Sequence, residues 1–229
     1  MSKSELDIER PFDFSELFFS TTDSNGKIIC GNEVFSRISG FSPSELKNRP
    51  HSIIRHRDMP RVVFRLLWKE ILTGRNIAAY VKNRAKDGSY YWVLAYVSPI
   101  SEGFLSVRFK PSSPTLQVVS SLYRELRELE LSIENQKGGT KDAAIEASGE
   151  LLIQRLRELG FDDYDSFITN ATIEEFTART SALMAANSKC SNPSPMNSAK
   201  RTDLTRISET LSQAIGKDSD IAELKRGIS

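Results

Sequence analysis

Apolar residues along this chain switch between two periods. Phe18–Thr22 and Lys27–Gly31 are short apolar segments separated by Asp23-Ser-Asn-Gly26. Asn-Gly between two such runs signals a β-hairpin. After Gly31 the spacing turns helical: Val34, Phe35 and Ile38 share a face, and Gly40 stops the run. Ser42-Pro-Ser-Glu45 reads as a helix start, with proline at the first position and a carboxylate to close a capping box. Pro60 opens a stronger helix, whose stripe of Val63, Phe64, Leu67, Trp68 and Ile71 ends near Thr73-Gly74. Ile77–Arg84, Tyr90–Ile100 and Gly103–Lys110 then have strand character, the first two joined through Lys86-Asp-Gly88. Within the last, Phe104, Ser106 and Arg108 alternate against Leu105, Val107 and Phe109. Tight turns make these three strands antiparallel neighbours. The order predicts an α+β domain over residues 16–111, a five-stranded antiparallel sheet with helices on one face. Residues 1–15 read as an N-terminal cap, part helix and part arm.

Pro111-Ser-Ser-Pro114 ends that domain, and an α-helical region, 112–190, follows. Val119, Leu122, Leu126, Leu129 and Ile133 alternate steps of three and four, a heptad seam in a helix over 114–136. That seam serves an intramolecular bundle as readily as a homodimer. A second amphipathic run carries Ile145, Leu152, Leu156 and Leu159, and Phe161–Asn187 reads as two helices parted at Asn170-Ala-Thr172. Residues 191–199 have linker composition, and 200–229 hold a final helix.

Charge narrows the function classes. The 31 basic residues balance 30 acidic ones, which leaves no electrostatic footprint for nucleic acid. Cys30 and Cys190 make neither metal-ligand spacing nor a disulfide framework, and Cys30 reads as a buried apolar residue. The start of the chain is charged where a signal peptide needs an apolar core, and no run is long enough to span a bilayer. A cytoplasmic protein with no direct membrane insertion is expected.

The densest polar constellation is Pro50-His-Ser-Ile-Ile-Arg-His-Arg-Asp-Met-Pro60, which holds both histidines of the chain. Arginine forks to phosphate or carboxylate, and histidine donates or accepts near neutrality. Asp58 fixes a histidine tautomer or caps the helix at Pro60. With Phe64, Trp68, Tyr91 and Trp92 as flat walls, the set suits a planar heterocycle with a phosphate tail. By position alone Trp68 reads as core, Asn32 as a helix cap, and the charged cluster as a solvated face. His51, His56 and Asp58 lack the further ligand a metal site needs, so none is assigned.

The stretch from Ser20 through Arg108 resembles the flavin-binding PAS domain of bacterial aerotaxis receptors. The resemblance rests on Gly31-Asn-Glu-Val-Phe-Ser-Arg-Ile-Ser-Gly-Phe41, the Pro50–Pro60 segment, Val81-Lys-Asn-Arg84, Lys86-Asp-Gly88, Tyr91-Trp-Val93 and Ser106-Val-Arg108. It implies a PAS fold and non-covalent FAD. It also implies that Arg55, His56 and Asp58 belong to the FAD pocket, with Asn32 as the helix-opening asparagine and Trp68 as the tryptophan of the long helix. Three places depart from the family pattern: Arg57 stands where proline is usual, Ile77 lies in a stretch, Gly74–Ala79, that lacks the expected tryptophan, and the turn Ser101-Glu-Gly103 before the last strand is short. The second half resembles no family.

The expected function is a redox or oxygen sensor that signals through its C-terminal helices to a chemotaxis-type or other output protein. A PAS module holding haem through His51 or His56, holding a metabolite, or holding no cofactor is the alternative. No enzyme is expected, and no catalytic residue is assigned. Neither histidine lies on the heptad helix, no Gly-rich nucleotide lobe follows, and no second-substrate motif accompanies the flavin signature.

Overall fold

The computed structural model describes residues 6–189. The linker at 191–199, the helix at 200–229 and Cys190 lie outside the described residues. One compact unit runs to Met184, and a second begins at Ala185.

Five strands, β1 (Leu17–Thr22), β2 (Ile28–Gly31), β3 (Ile77–Arg84), β4 (Tyr90–Ile100) and β5 (Gly103–Phe109), form one sheet in the order β2-β1-β5-β4-β3. All four pairings are antiparallel. Gly26 closes the first hairpin with φ of +73°, the left-handed region that the Asn-Gly signal requires.

Helices α1 (Glu33–Ser39), α2 (Pro43–Leu46) and α3 (Arg61–Leu72), with a 3₁₀ turn at His51–Ile54, lie between β2 and β3. Ser42 and Glu45 form the expected capping box on α2. Helix α3 has no such local cap. Pro60 offers no side-chain hydrogen bond, and Asp58 does not supply one. A carboxylate from far along the chain does: Glu130 accepts from the backbone N–H groups of Arg61 and Val62.

The C-terminal helices are α4 (Thr115–Glu134), α5 (Lys141–Glu158) and α6 (Tyr164–Lys189). Strand alternation puts Tyr91 and Trp92 on opposite faces of the sheet. Tyr91 packs with Phe12 and Phe18, while Trp92 packs on Tyr123 of α4. Helix α6 joins α4 there, through Phe176 against Phe109 and through Tyr164, whose hydroxyl donates to the carbonyl of Ala78. The seam residues Val119, Leu122 and Leu126 are buried in this intramolecular packing.

Three sequence expectations are corrected. Asn170-Ala-Thr172 does not break a helix: Thr172 Oγ1 donates back to the carbonyl of Ile168, a local bond that lets threonine sit inside α6. Cys30 is exposed, because it lies on the edge strand β2 and only Ile28 of that strand is buried. The described part of the N-terminal cap, 6–15, has no helix; it makes an isolated parallel bridge from Glu9 to Tyr90 and buries Phe12, while residues 1–5 lie outside the described residues.

Candidate functional site

The alternation in β5 turns Phe104, Ser106 and Arg108 toward the helices α1–α3. Beside them, Val81 and Asn83 of β3 and Ala95 and Val97 of β4 continue the same wall. Opposite stands the apolar stripe of α3, with Phe64, Leu67, Trp68 and Ile71. The β1–β2 turn and the segment from Pro50 to Arg55 complete a cavity of about 270 Å³. Trp68 lies edge-on to Phe104, with ring centroids 5.6 Å apart. It also comes so close to Gly26 that an added Cβ there would lie 2.9 Å from its ring. Glycine at this turn thus lets the indole close over the cavity.

The sheet side is polar and deeply buried. Arg108 retains only 5% of its surface, Asn83 2% and Ser106 6%. Arg108 donates through Nη1 to Ser20 Oγ at 3.0 Å and through Nη2 to His51 Nε2 at 2.8 Å. Nε2 is therefore the acceptor, and the imidazole proton sits on Nδ1. Burial, and then the Arg108 charge, push the His51 pKa well below its ordinary value, so the ring is neutral at pH 7. Burial also pulls the Arg108 guanidinium down to about 10, which leaves it charged. Asn83 Nδ2 and Ser106 Oγ have no hydrogen-bond partner in the protein. Native interiors satisfy nearly all such groups, so these two on one cavity wall are free to bond a water or a ligand that enters it.

The residues singled out from sequence fall into two groups. Arg55 and Trp68 line the cavity. The Arg55 guanidinium lies 3.9 Å from the Phe64 ring centroid and donates to the carbonyl of Met59. Burial lowers its pKa to about 10, with Arg61 adding to the effect and Glu130 opposing it. Asn32, His56 and Asp58 are not among the lining residues. Asn32 caps α1 and ties it to β1, accepting from the N–H groups of Phe35 and Phe19 and donating to the carbonyl of Leu17. His56 is buried behind Arg55, where its Nδ1 accepts from the Asp58 N–H. Asp58 is half exposed and accepts from Lys82 Nζ at 2.7 Å.

Arg108, Ser106 and Asn83 were not assigned to the pocket from sequence, and His51 only as a haem ligand in the alternative reading. The signal was present in the β5 alternation and in Val81-Lys-Asn-Arg84, but nothing in the sequence says which strand face turns inward. Among the described residues, no group of three potential ligands could hold a metal ion, and no helix is long and apolar enough to cross a membrane.

Comparison with known proteins agrees with this geometry. Residues 28–105 match the family model described as PAS fold. This segment is a PAS domain. The aerotaxis receptor of Escherichia coli (strain K12) is 35% identical over 112 residues, which are 47% of this chain and 22% of the receptor. The nitrogen fixation regulatory protein of Klebsiella pneumoniae is 27% identical over 81 residues, 35% of this chain and 16% of that protein. The chain thus spans under a quarter of the length of these curated relatives. A solved light-oxygen-voltage domain structure, from work with a flavin analogue, aligns at 18% identity with a TM-score of 0.42. That alignment covers 47% of this chain and 86% of the other. The family match at 28–105 covers most of the cavity lining, Thr22, Asn25, Gly26, Ser106 and Arg108 lie just outside it, and α4–α6 follow it.

Proposed function

We propose that this PAS domain is a sensor that binds FAD without a covalent bond and reports redox or oxygen state to a partner signalling protein through its C-terminal helices. The observation that carries the reading is the two-sided cavity: an aromatic wall from α3 faces a wall of buried, partly unpartnered polar groups. A planar ring with one apolar edge and one hydrogen-bonding edge fits such a slot. Ligand pockets commonly measure about 300–1,000 Å³. A cavity of about 270 Å³ suits a tricyclic ring system, while the dinucleotide tail extends beyond it.

In this reading Trp68 and Phe64 flank the ring, Asn83, Ser106 and Arg108 meet its polar edge, and Arg55 faces the phosphate tail. His56 and Asp58 hold the Arg55 segment against β3, and Asn32 anchors the helix on the far side. A bound flavin would supply the redox centre; the protein supplies orientation, charge and exclusion of water. The relative named as an aerotaxis receptor favours redox or oxygen as the signal, with an output protein as the partner. The seam of α4 is occupied within the chain, so a partner would engage other surfaces.

An absorbance spectrum of the purified full chain tests the reading. A flavin absorption spectrum, with release of FAD on denaturation, is expected for a bound flavin. A haem band, or a colourless protein that takes up no added FAD, would reject it.

A further inference from the structure

Arg108 is an anomaly in the fold. It is nearly inaccessible, yet no carboxylate among the described residues lies within ion-pair distance of it. Its partners are all neutral: Ser20, His51 and the ring of Phe35, whose centroid is 5.7 Å away. Buried charges are normally paired, because removing an ion from water is costly. A guanidinium carries five N–H donors, and only two are committed here. Ser20 and His51 do not depend on it, since Ser20 Oγ and His51 Nε2 stand 3.2 Å apart and satisfy each other. Nothing local therefore explains why a cation is kept in this wall.

We infer that Arg108 is the specificity-determining cation of the cavity, selecting, together with Asn83 and Ser106, a planar ligand that presents an anionic or strongly accepting edge to β5. The class includes cyclic imides and other heterocycles with adjacent carbonyl oxygens, which accept from a guanidinium and gain from its charge when electron density rises on the ring. With flavin as the ligand, a name that rests on the function proposed above, the edge is the pyrimidine portion of the ring system. Asn83 and Ser106 give the directional bonds and Arg108 the charge.

The inference has a signature that a structural arginine cannot imitate. If Arg108 serves the ligand, the empty protein is more stable without it, and the ligand binds less tightly. The full chain is stripped of ligand, and its melting temperature is compared with those of R108M and R108Q. The affinity of each for added FAD is then measured by fluorescence quenching. R108M is expected to melt at least about 2 °C above the empty wild type. It is also expected to bind FAD about 10- to 100-fold more weakly, and R108K by less. The midpoint potential of any flavin that R108M retains should move to a more negative value. A fall in melting temperature for both variants, or failure of both to fold, would make Arg108 a scaffold residue and overturn the inference. Unchanged FAD affinity in a stabilised R108M would also overturn it. Should the wild type take up no FAD, the flavin reading fails by itself, and the melting comparison still decides whether Arg108 burdens the empty fold.

Discussion

Glu130 on α4 closes the N-terminus of α3, its Oε1 accepting from the backbone N–H of Arg61 at 2.7 Å and from that of Val62 at 3.1 Å. The carboxylate is fully buried and also receives Ser148 Oγ from α5 and Arg127 Nη1 from its own helix. One residue thus fixes the helix that walls the cavity to two helices outside the PAS segment. A helix start needs an acceptor, and its dipole favours a negative one.

Glu130→Ala should cost about 2–4 kcal/mol, because three donors and a partly buried arginine lose their acceptor at once. Glu130→Gln should recover part of this, since one amide oxygen still accepts. Urea denaturation followed by circular dichroism measures both. A loss below about 0.5 kcal/mol for the alanine variant would mean that α3 finds another cap.

Within the candidate site, Arg55→Ala and Asp58→Ala should separate. Arg55 lines the cavity, whereas Asp58 is half exposed and engaged with Lys82. A charged hydrogen bond to ligand is worth about 1.5–3 kcal/mol, so Arg55→Ala should weaken FAD binding by about one to two decades. Asp58→Ala should change it by less than about fivefold, the scale of an exposed ion pair. Equilibrium titration of both proteins with FAD checks the difference; equal losses would place Asp58 at the ligand as well.

The strands and their hairpin pairings were legible because alternation, Asn-Gly and Asp-Gly turns and a helical stripe are local signals; the pairing of β1 with β5, far apart in sequence, was not. The site was legible only in part. Arg55 stands in the Pro50–Pro60 constellation, and Trp68, core by position alone, joins it only through the family resemblance; Arg108 sits in a strand whose inward face depends on the register with β1 and β4. The capping role of Glu130 was hidden for a related reason. Its partner Arg61 lies 69 residues away, so in sequence Glu130 is one more charge between seam positions. The helix of Phe161–Asn187 was divided because Asn and Thr favour caps, a preference that tertiary packing overrides here.

His51 makes stability depend on pH. Its folded pKa is pushed well below 6.5, first by burial and then by Arg108, the charged side chain that faces it. An unfolded imidazole takes up its proton near 6.5, while the folded ring stays neutral to much lower pH. The stability it contributes is complete above about pH 7 and is lost as the pH falls below about 6.5, at up to about 1.4 kcal/mol per unit. Urea titrations at about pH 7 and pH 5.5 should show this decline in the wild type and a shallower one in His51→Gln. Equal slopes in the two proteins would assign the decline to other groups.

The connection from the sheet to α4 is held by a second buried carboxylate, Glu175 of α6. It accepts from the N–H groups of Ser112 and Ser113, at 2.5 and 2.9 Å, and from the hydroxyls of Ser113 and Tyr80, at 2.8 and 2.9 Å. Tyr80 is the neighbour of Val81 on β3, and Ser112-Ser113 follow, after Lys110 and Pro111, the strand that carries Ser106 and Arg108. A displacement of either strand therefore bears on the same carboxylate, and through it on the start of α4. A ligand moves such an element only if it binds the two arrangements unequally, and the coupling is reciprocal. Glu175→Gln replaces one acceptor oxygen by an NH₂ group that opposes donors. It should cost about 1–3 kcal/mol and speed amide exchange in residues 112–120. In the wild type, FAD binding should slow exchange in that same segment, and in Glu175→Gln the slowing should shrink while the cavity still fills. If FAD slows exchange there equally in both proteins, the Glu175 contacts are not the route from the cavity to α4.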